Sequence, residues 1–168
     1  PKAECKIRQG VTTEVVGNCG FSVAPALPDK GDMLRDYLSG SAPWLPFEET
    51  DFSRYMDAWP DISVNTVMQV GHNTLRIMAM GMEDRDPTDG ELQHMQVMLA
   101  EALDAGALGL SSGLFTAPGC YRKPEEMHAL GRVVGPDTEV PKPSLPVLSS
   151  LDAHGAARGR IEAVHVRR

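Results

Sequence analysis

Apolar positions along the chain follow two alternating spacings. Gln9 to Pro25, QGVTTEVVGNCGFSVAP, begins with Val11, Thr12, Thr13, Val15 and Val16 between Gly10 and Gly17. Side chains branched at Cβ fit a pleated backbone better than a helical turn, so the run predicts a strand that delivers Gly17-Asn18-Cys19-Gly20 into a loop. Its nearly continuous apolar content predicts a strand covered on both faces, as in a parallel α/β sheet. Ile62 to Val70 predicts a second strand, ending in a Gly71-His72-Asn73 loop, and Ala107 to Leu110 a short third one leading into Ser111-Ser112-Gly113. Between them the spacing turns helical. Phe52, Tyr55, Met56 and Trp59 form the stripe of a short helix stopped by Pro60, and aromatic residues so spaced are core before they are cofactor contacts. Thr74 to Met80 supplies a helical turn or two. Thr88 and Glu91 have capping-box spacing ahead of Leu92, Met95, Leu99, Ala102 and Leu103, the best helical face in the chain, which Gly106 ends.

The flanks add less. Pro1 to Gln9 reads as the tail of a helix ended by Gly10, and Met33 to Leu38 as a weak helical piece. Pro124, with Glu125 and Glu126 in the first turn, starts a last helix running to about Val134. Prolines 136, 141, 143 and 146 then exclude a regular helix, and the end carries Arg158, Arg160, Arg167 and Arg168. The expected division is residues 1–134 as one partial α/β unit and 135–168 as an irregular proline- and arginine-rich tail.

Order, rather than any single element, gives the fold class. Strand, helix, strand, helix, strand is the alternation of parallel β/α units, and chemistry in such sheets collects at the carboxyl ends of the strands. At 168 residues the chain is shorter than the roughly 250 of a whole (β/α)8 barrel. A three-stranded parallel piece has two open edges, so the expectation is a segment of a larger protein. A formal charge of -7 disfavours nucleic acid as a general partner, and no apolar run reaches the ~20 residues of a membrane span. No basic-apolar signal peptide stands at the start, so a cytoplasmic location is the expectation, and three cysteines without a C-x-x-C spacing argue against a disulfide scaffold. Cys5 and Cys120 read as packing or surface residues.

Three stretches in order, QGVTTEVVGNCGFSVAP, VGHNTLR from Val70 to Arg76, and GALGLSSGLFTAPG from Gly106 to Gly119, resemble the N-acyl-D-amino-acid deacylases, the D-aminoacylase branch of the amidohydrolase superfamily. The resemblance covers roughly the first four-fifths of the chain. It implies about three units of a TIM-like (β/α)8 barrel. It also implies a zinc-dependent hydrolase that splits the amide of a small N-acyl-D-amino acid into a carboxylate and a free D-amino acid. Cys19 stands where the family has its metal-binding cysteine. His72, at the end of the second strand, is expected to line the pocket or support the metal site, with Asn73 and Arg76 as lesser candidates; Ser111 and Ser112, ending the third, are expected near substrate. The family's His-x-His pair and its acid/base aspartate are not found, so the catalytic group is unassigned and activity of this chain alone is doubtful. His165-Val166-Arg167 superficially resembles the family's His-x-Arg motif, and Asp152 beside His154 is the late acidic candidate. His94 and His128 fall on helices, where surface or packing roles are the default. Serine nucleophilic catalysis is disfavoured because no G-x-S-x-G elbow occurs. Two alternatives stand beside this reading. A cyclic-amide hydrolase of the dihydropyrimidinase type is disfavoured because no lysine follows a strand as Cys19 does, and a non-catalytic remnant or interaction piece is the other. Oligomeric state is not legible.

Overall fold

The computed structural model describes residues 2–135. Asp152, His154, His165 and the proline- and arginine-rich stretch lie outside them. The elements follow in the order α1 (Glu4–Ile7), β1 (Thr13–Val16), α2 (Gly31–Ser39), α3 (Phe52–Asp57), β2 (Asn65–Gly71), α4 (His72–Met80), α5 (Asp89–Asp104), β3 (Gly109–Ser111), a 3-10 turn at Gly119–Tyr121, and α6 (Pro124–Val134). The sheet is parallel throughout, in the order β1-β2-β3. Val15 lies beside Val67 and Val16 beside Met68, while Gly71 lies beside Ser111. Parallel pairing in this register gathers all three carboxyl ends on one side of the sheet.

Burial grows along the sheet from β1 towards β3. β3 is buried along its whole length, and β2 is buried from Met68 onward. β1 departs from the expectation of a strand covered on both faces, since its residues alternate between exposed and half-buried and Val15 is 44% exposed. The cause is what packs over each strand: α4 lies against β2 and α6 against β3, while the main partner of β1 is β2 itself.

α4 is the element around which the helices pack. All nine of its residues are buried, as befits a helix apolar on every side at Leu75, Ile77, Met78, Ala79 and Met80. It follows β2 directly, without the expected loop at His72-Asn73. Both of its ends are served from elsewhere in the chain. Lys30 donates its ammonium to the carbonyls of Met78 (3.2 Å) and Ala79 (2.8 Å), placing a cation at the negative end of the helix dipole. Near the other end, the Thr74 hydroxyl accepts from the Ser22 N–H and donates to the Ser22 carbonyl. Phe52 joins the same core, with Tyr55, Met56 and Trp59 packed half-buried against it, as their spacing predicts.

The capping box at Thr88 forms in full. Thr88 Oγ1 accepts from the Glu91 N–H, and Glu91 Oε2 accepts from the Thr88 N–H at 2.7 Å. Arg85 adds a fork of two hydrogen bonds to the same carboxylate, at 2.6 and 2.7 Å. First through Arg85 and then through the Thr88 N–H, these donors hold the Glu91 carboxyl down at about 2. An unfolded glutamate titrates near about 4.3. The group therefore stabilises the fold above that value, and the contribution is lost as pH falls through about 2. The gap in melting temperature between wild type and Glu91→Gln is expected to be open near about pH 6 and to close between about pH 4.5 and the lowered value. Thermal melts across that range check it; a gap that stays constant with pH would contradict the assignment.

Candidate functional site

The site begins with a turn that few residues could form. After β1 the backbone takes positive φ at Gly17 (83°), Cys19 (57°) and Gly20 (80°). For a residue with a Cβ this left-handed conformation costs on the order of 1–2 kcal/mol and persists only where its surroundings fix it. The surroundings at Cys19 are close. Gly20 donates its N–H to Ser111 Oγ at 3.2 Å, and the same hydroxyl donates to the Gly17 carbonyl. Phe21 N–H closes the turn on the Asn18 carbonyl at 3.0 Å, and Asn18 Nδ2 donates back to the Val15 carbonyl at 2.8 Å. Gly71 leaves room for all this, because a Cβ there would stand 2.3 Å from the Gly20 carbonyl oxygen. Within this frame the Cys19 residue is exposed and its thiol free. Cys5 and Cys120 are also exposed and free, Cys5 on α1 and Cys120 in the 3-10 turn, so both are surface residues.

Most of the other sequence-predicted residues are buried. Ser111 is 2% exposed and its hydroxyl is occupied by Gly17 and Gly20. Ser112 is also buried, its hydroxyl 3.9 Å from the Met127 sulfur. His72 is fully buried, and its Nε2 lies 2.6 Å from Glu126 Oε1. Arg76, one turn along α4 and equally buried, donates to Glu126 Oε2 at 2.5 Å and to the Arg85 carbonyl at 2.9 Å. Asn73 donates to the Tyr37 hydroxyl at 2.7 Å and to Thr116 Oγ1 at 3.1 Å, tying α2 to the loop after β3. Tyr37 in turn stacks on Phe21, ring centres 5.0 Å apart, just beyond the turn. His94 and His128 are exposed on α5 and α6.

Two residues that sequence reasoning passed over belong to this region. Glu126 read only as first-turn charge complementing the helix dipole, yet it is buried and joins His72 to Arg76. Phe115, in the loop after β3, is 96% exposed, the most exposed aromatic residue at this end of the sheet. The signal for Glu126 was indirect. A helix buried on every side that carries His and Arg requires an acceptor from elsewhere in the chain.

A catalytic zinc needs about three protein ligands and an open position. Among the described residues no three His, Cys, Asp or Glu side chains are grouped closely enough to hold a metal ion. A neighbouring cavity of about 360 Å³, walled by Phe21, Val23, Leu38, Leu45 and Tyr55, is mainly apolar and not lined by Cys19.

No family model matches the chain. It is 34% identical over 169 residues to N-acyl-D-glutamate deacylase of Alcaligenes xylosoxydans xylosoxydans, an alignment covering 99% of this chain and 30% of that one. It is 36% identical over 164 residues to the D-aminoacylase of the same organism, covering 96% and 29%. Among solved structures, N-acyl-D-glutamate deacylase from Bordetella bronchiseptica, complexed with zinc and a phosphonate mimic of the tetrahedral intermediate, superposes with a TM-score of 0.65 at 36% identity. That match covers 80% of this chain and 28% of the other. The chain belongs to the N-acyl-D-amino-acid deacylase family. It spans about three tenths of the length of the curated deacylases it matches. The alignment to the glutamate deacylase runs past Val134, where the sequence reading placed the end of the resemblance. Among the described residues no helix is long and apolar enough to cross a membrane.

Proposed function

We propose that this chain is the part of a deacylase barrel that presents a zinc-binding thiolate, and that the intact enzyme hydrolyses the amide of an N-acyl-D-amino acid. The products are a carboxylate and a free D-amino acid. The observation that supports the reading is an exposed Cys19 held in a left-handed turn, where the ends of three parallel strands meet. A protein has little reason to hold a non-glycine residue in that conformation unless the position of its side chain matters. Zinc, when bound, lowers the pKa of its water and polarises the carbonyl. Cys19 would supply one ligand, and the rest of the set would come from outside the described residues.

The roles of the remaining residues divide by burial. His72, Ser111 and Ser112 are closed to solvent, so in this proposal they support the strand-end loops from beneath, and direct contact with substrate falls to exposed loop residues. Three free cysteines fit a cytoplasmic location. The cyclic-amide alternative gains no observation.

The test uses the intact enzyme that carries this segment. Zinc per chain and release of free D-methionine from N-acetyl-D-methionine are measured for wild type and Cys19→Ala. Chelation is expected to abolish release and added zinc to restore it, while the variant loses bound zinc and at least about a hundredfold in rate. A Cys19→Ala enzyme with undiminished zinc and rate would end the proposal.

A further inference from the structure

We infer that Ser111 is a positioning residue: its hydroxyl alone clamps both ends of the turn that presents Cys19. The hydroxyl accepts from the Gly20 N–H at 3.2 Å and donates to the Gly17 carbonyl, so one oxygen atom spans the turn from its first residue to its last. The two partners lie 91 and 94 residues away in the sequence, so β3 fixes the shape of a loop that belongs to β1. A hydroxyl is the chemistry this requires. The site must offer one acceptor and one donor a few ångströms apart, which an alanine cannot do and a serine does with a single atom. The groups it satisfies are backbone groups packed between strand ends, where an unpaired N–H or C=O is costly. The rest of the packing admits little else. Gly113, two residues further on, lies directly against the Cys19 carbonyl, and Gly71 against the Gly20 carbonyl.

Ser111 is 2% exposed and both functions of its hydroxyl are taken, so it acts through Cys19 and is not a catalytic residue. Its consequence for a metal ligand rests on the role proposed above for the thiol. The clamp itself does not, and the experiment reads the clamp without metal or substrate.

Amide hydrogen exchange is followed residue by residue in the chain, together with alkylation of Cys19 by iodoacetamide relative to Cys5 and Cys120, resolved by peptide mass. In Ser111→Ala the Gly20 amide is expected to lose about tenfold in protection, the size of one net hydrogen bond. The Cys19 alkylation ratio should shift by at least about threefold as the thiol leaves its fixed position. Ser111→Thr, which keeps the hydroxyl, should return both towards wild type, and Ser53→Ala, at an exposed position of α3, should move neither. Unchanged Gly20 protection and an unchanged Cys19 ratio in a folded Ser111→Ala chain would overturn the inference. So would a uniform rise in exchange across β2, β3 and α4, which is the signature of general destabilisation. Should Ser111→Ala not fold, the wild-type chain decides: a Gly20 amide as protected as those of β3 upholds the clamp, and one that exchanges like an open loop refutes it. Local loss at Gly20, combined with a Cys19→Ala enzyme that keeps its zinc, would leave the clamp standing and remove the metal role.

Discussion

Glu126→Ala is expected to cost at least about 3 kcal/mol of folding stability, the range found when one partner of a buried ion pair is removed. The argument rests on what stays behind. Arg76 is fully buried with a guanidinium head, while His72 beside it has Glu126 as its side-chain partner. Once the carboxyl is gone, a cation remains inside α4 with the Arg85 carbonyl as its remaining acceptor. Against a total of roughly 5–15 kcal/mol for a domain, that loss is a large fraction. Glu126→Gln keeps the volume and one acceptor and should fall between wild type and alanine. Glu125→Ala, at the exposed neighbouring position, should stay within about 0.5 kcal/mol. Urea denaturation at constant slope reads all three. A Glu126→Ala chain within about 1 kcal/mol of wild type would show that His72 and Arg76 find other partners.

The same cluster shows where the sequence ran out as a guide. Strand positions and helix faces were legible because they depend on neighbours in sequence. The β-branched run before Gly17, the Thr88 capping box and the stripe from Leu92 to Leu103 are local patterns, and each forms near where it was expected. The parallel order followed from the alternation of elements. The place of Cys19 in the loop after β1 was legible from the β-branched run before it, and its position beside the ends of β2 and β3 follows once the strands are parallel. The direction in which a polar side chain turns was not legible. Ser111, Ser112 and His72 sit at strand ends, where a sequence suggests contact with a ligand, yet each is buried among backbone and side chains. Glu125 and Glu126 look alike in the sequence, and only packing against α4 separates the exposed one from the buried one. Coverage of β1 on both faces failed for a related reason, because hydrophobicity reports what a strand can bury and not which elements pack over it.

Two glycine substitutions should move stability in opposite directions, and the geometry states which is which. A Cβ at Gly113 would stand 1.9 Å from the Cys19 carbonyl oxygen and 2.7 Å from its carbonyl carbon. Both are backbone atoms, so no side chain can swing aside, and relief requires the Cys19 turn or the end of β3 to shift by about 1 Å. Overpacking of this kind typically costs about 1–3 kcal/mol and more where the neighbour is rigid. With a turn already held at positive φ by Ser111, Gly113→Ala is expected at about 3 kcal/mol or beyond. At Gly131, inside α6, a Cβ would meet nothing within 4 Å, so alanine there restores helix propensity and should stabilise by about 0.5–1 kcal/mol. Chemical denaturation of both variants checks the signs, and alkylation of Cys19 separates the causes. Gly113→Ala should alter the rate at Cys19 while Cys5 keeps its own, because the clash is with the residue that bears the thiol; Gly131→Ala should alter neither. If Gly113→Ala matched wild type in stability and in Cys19 reactivity, the turn would have room to move. A thiol on a movable turn would not be held for a ligand by the fold, and the geometric support for Cys19 as a metal donor would fall with it.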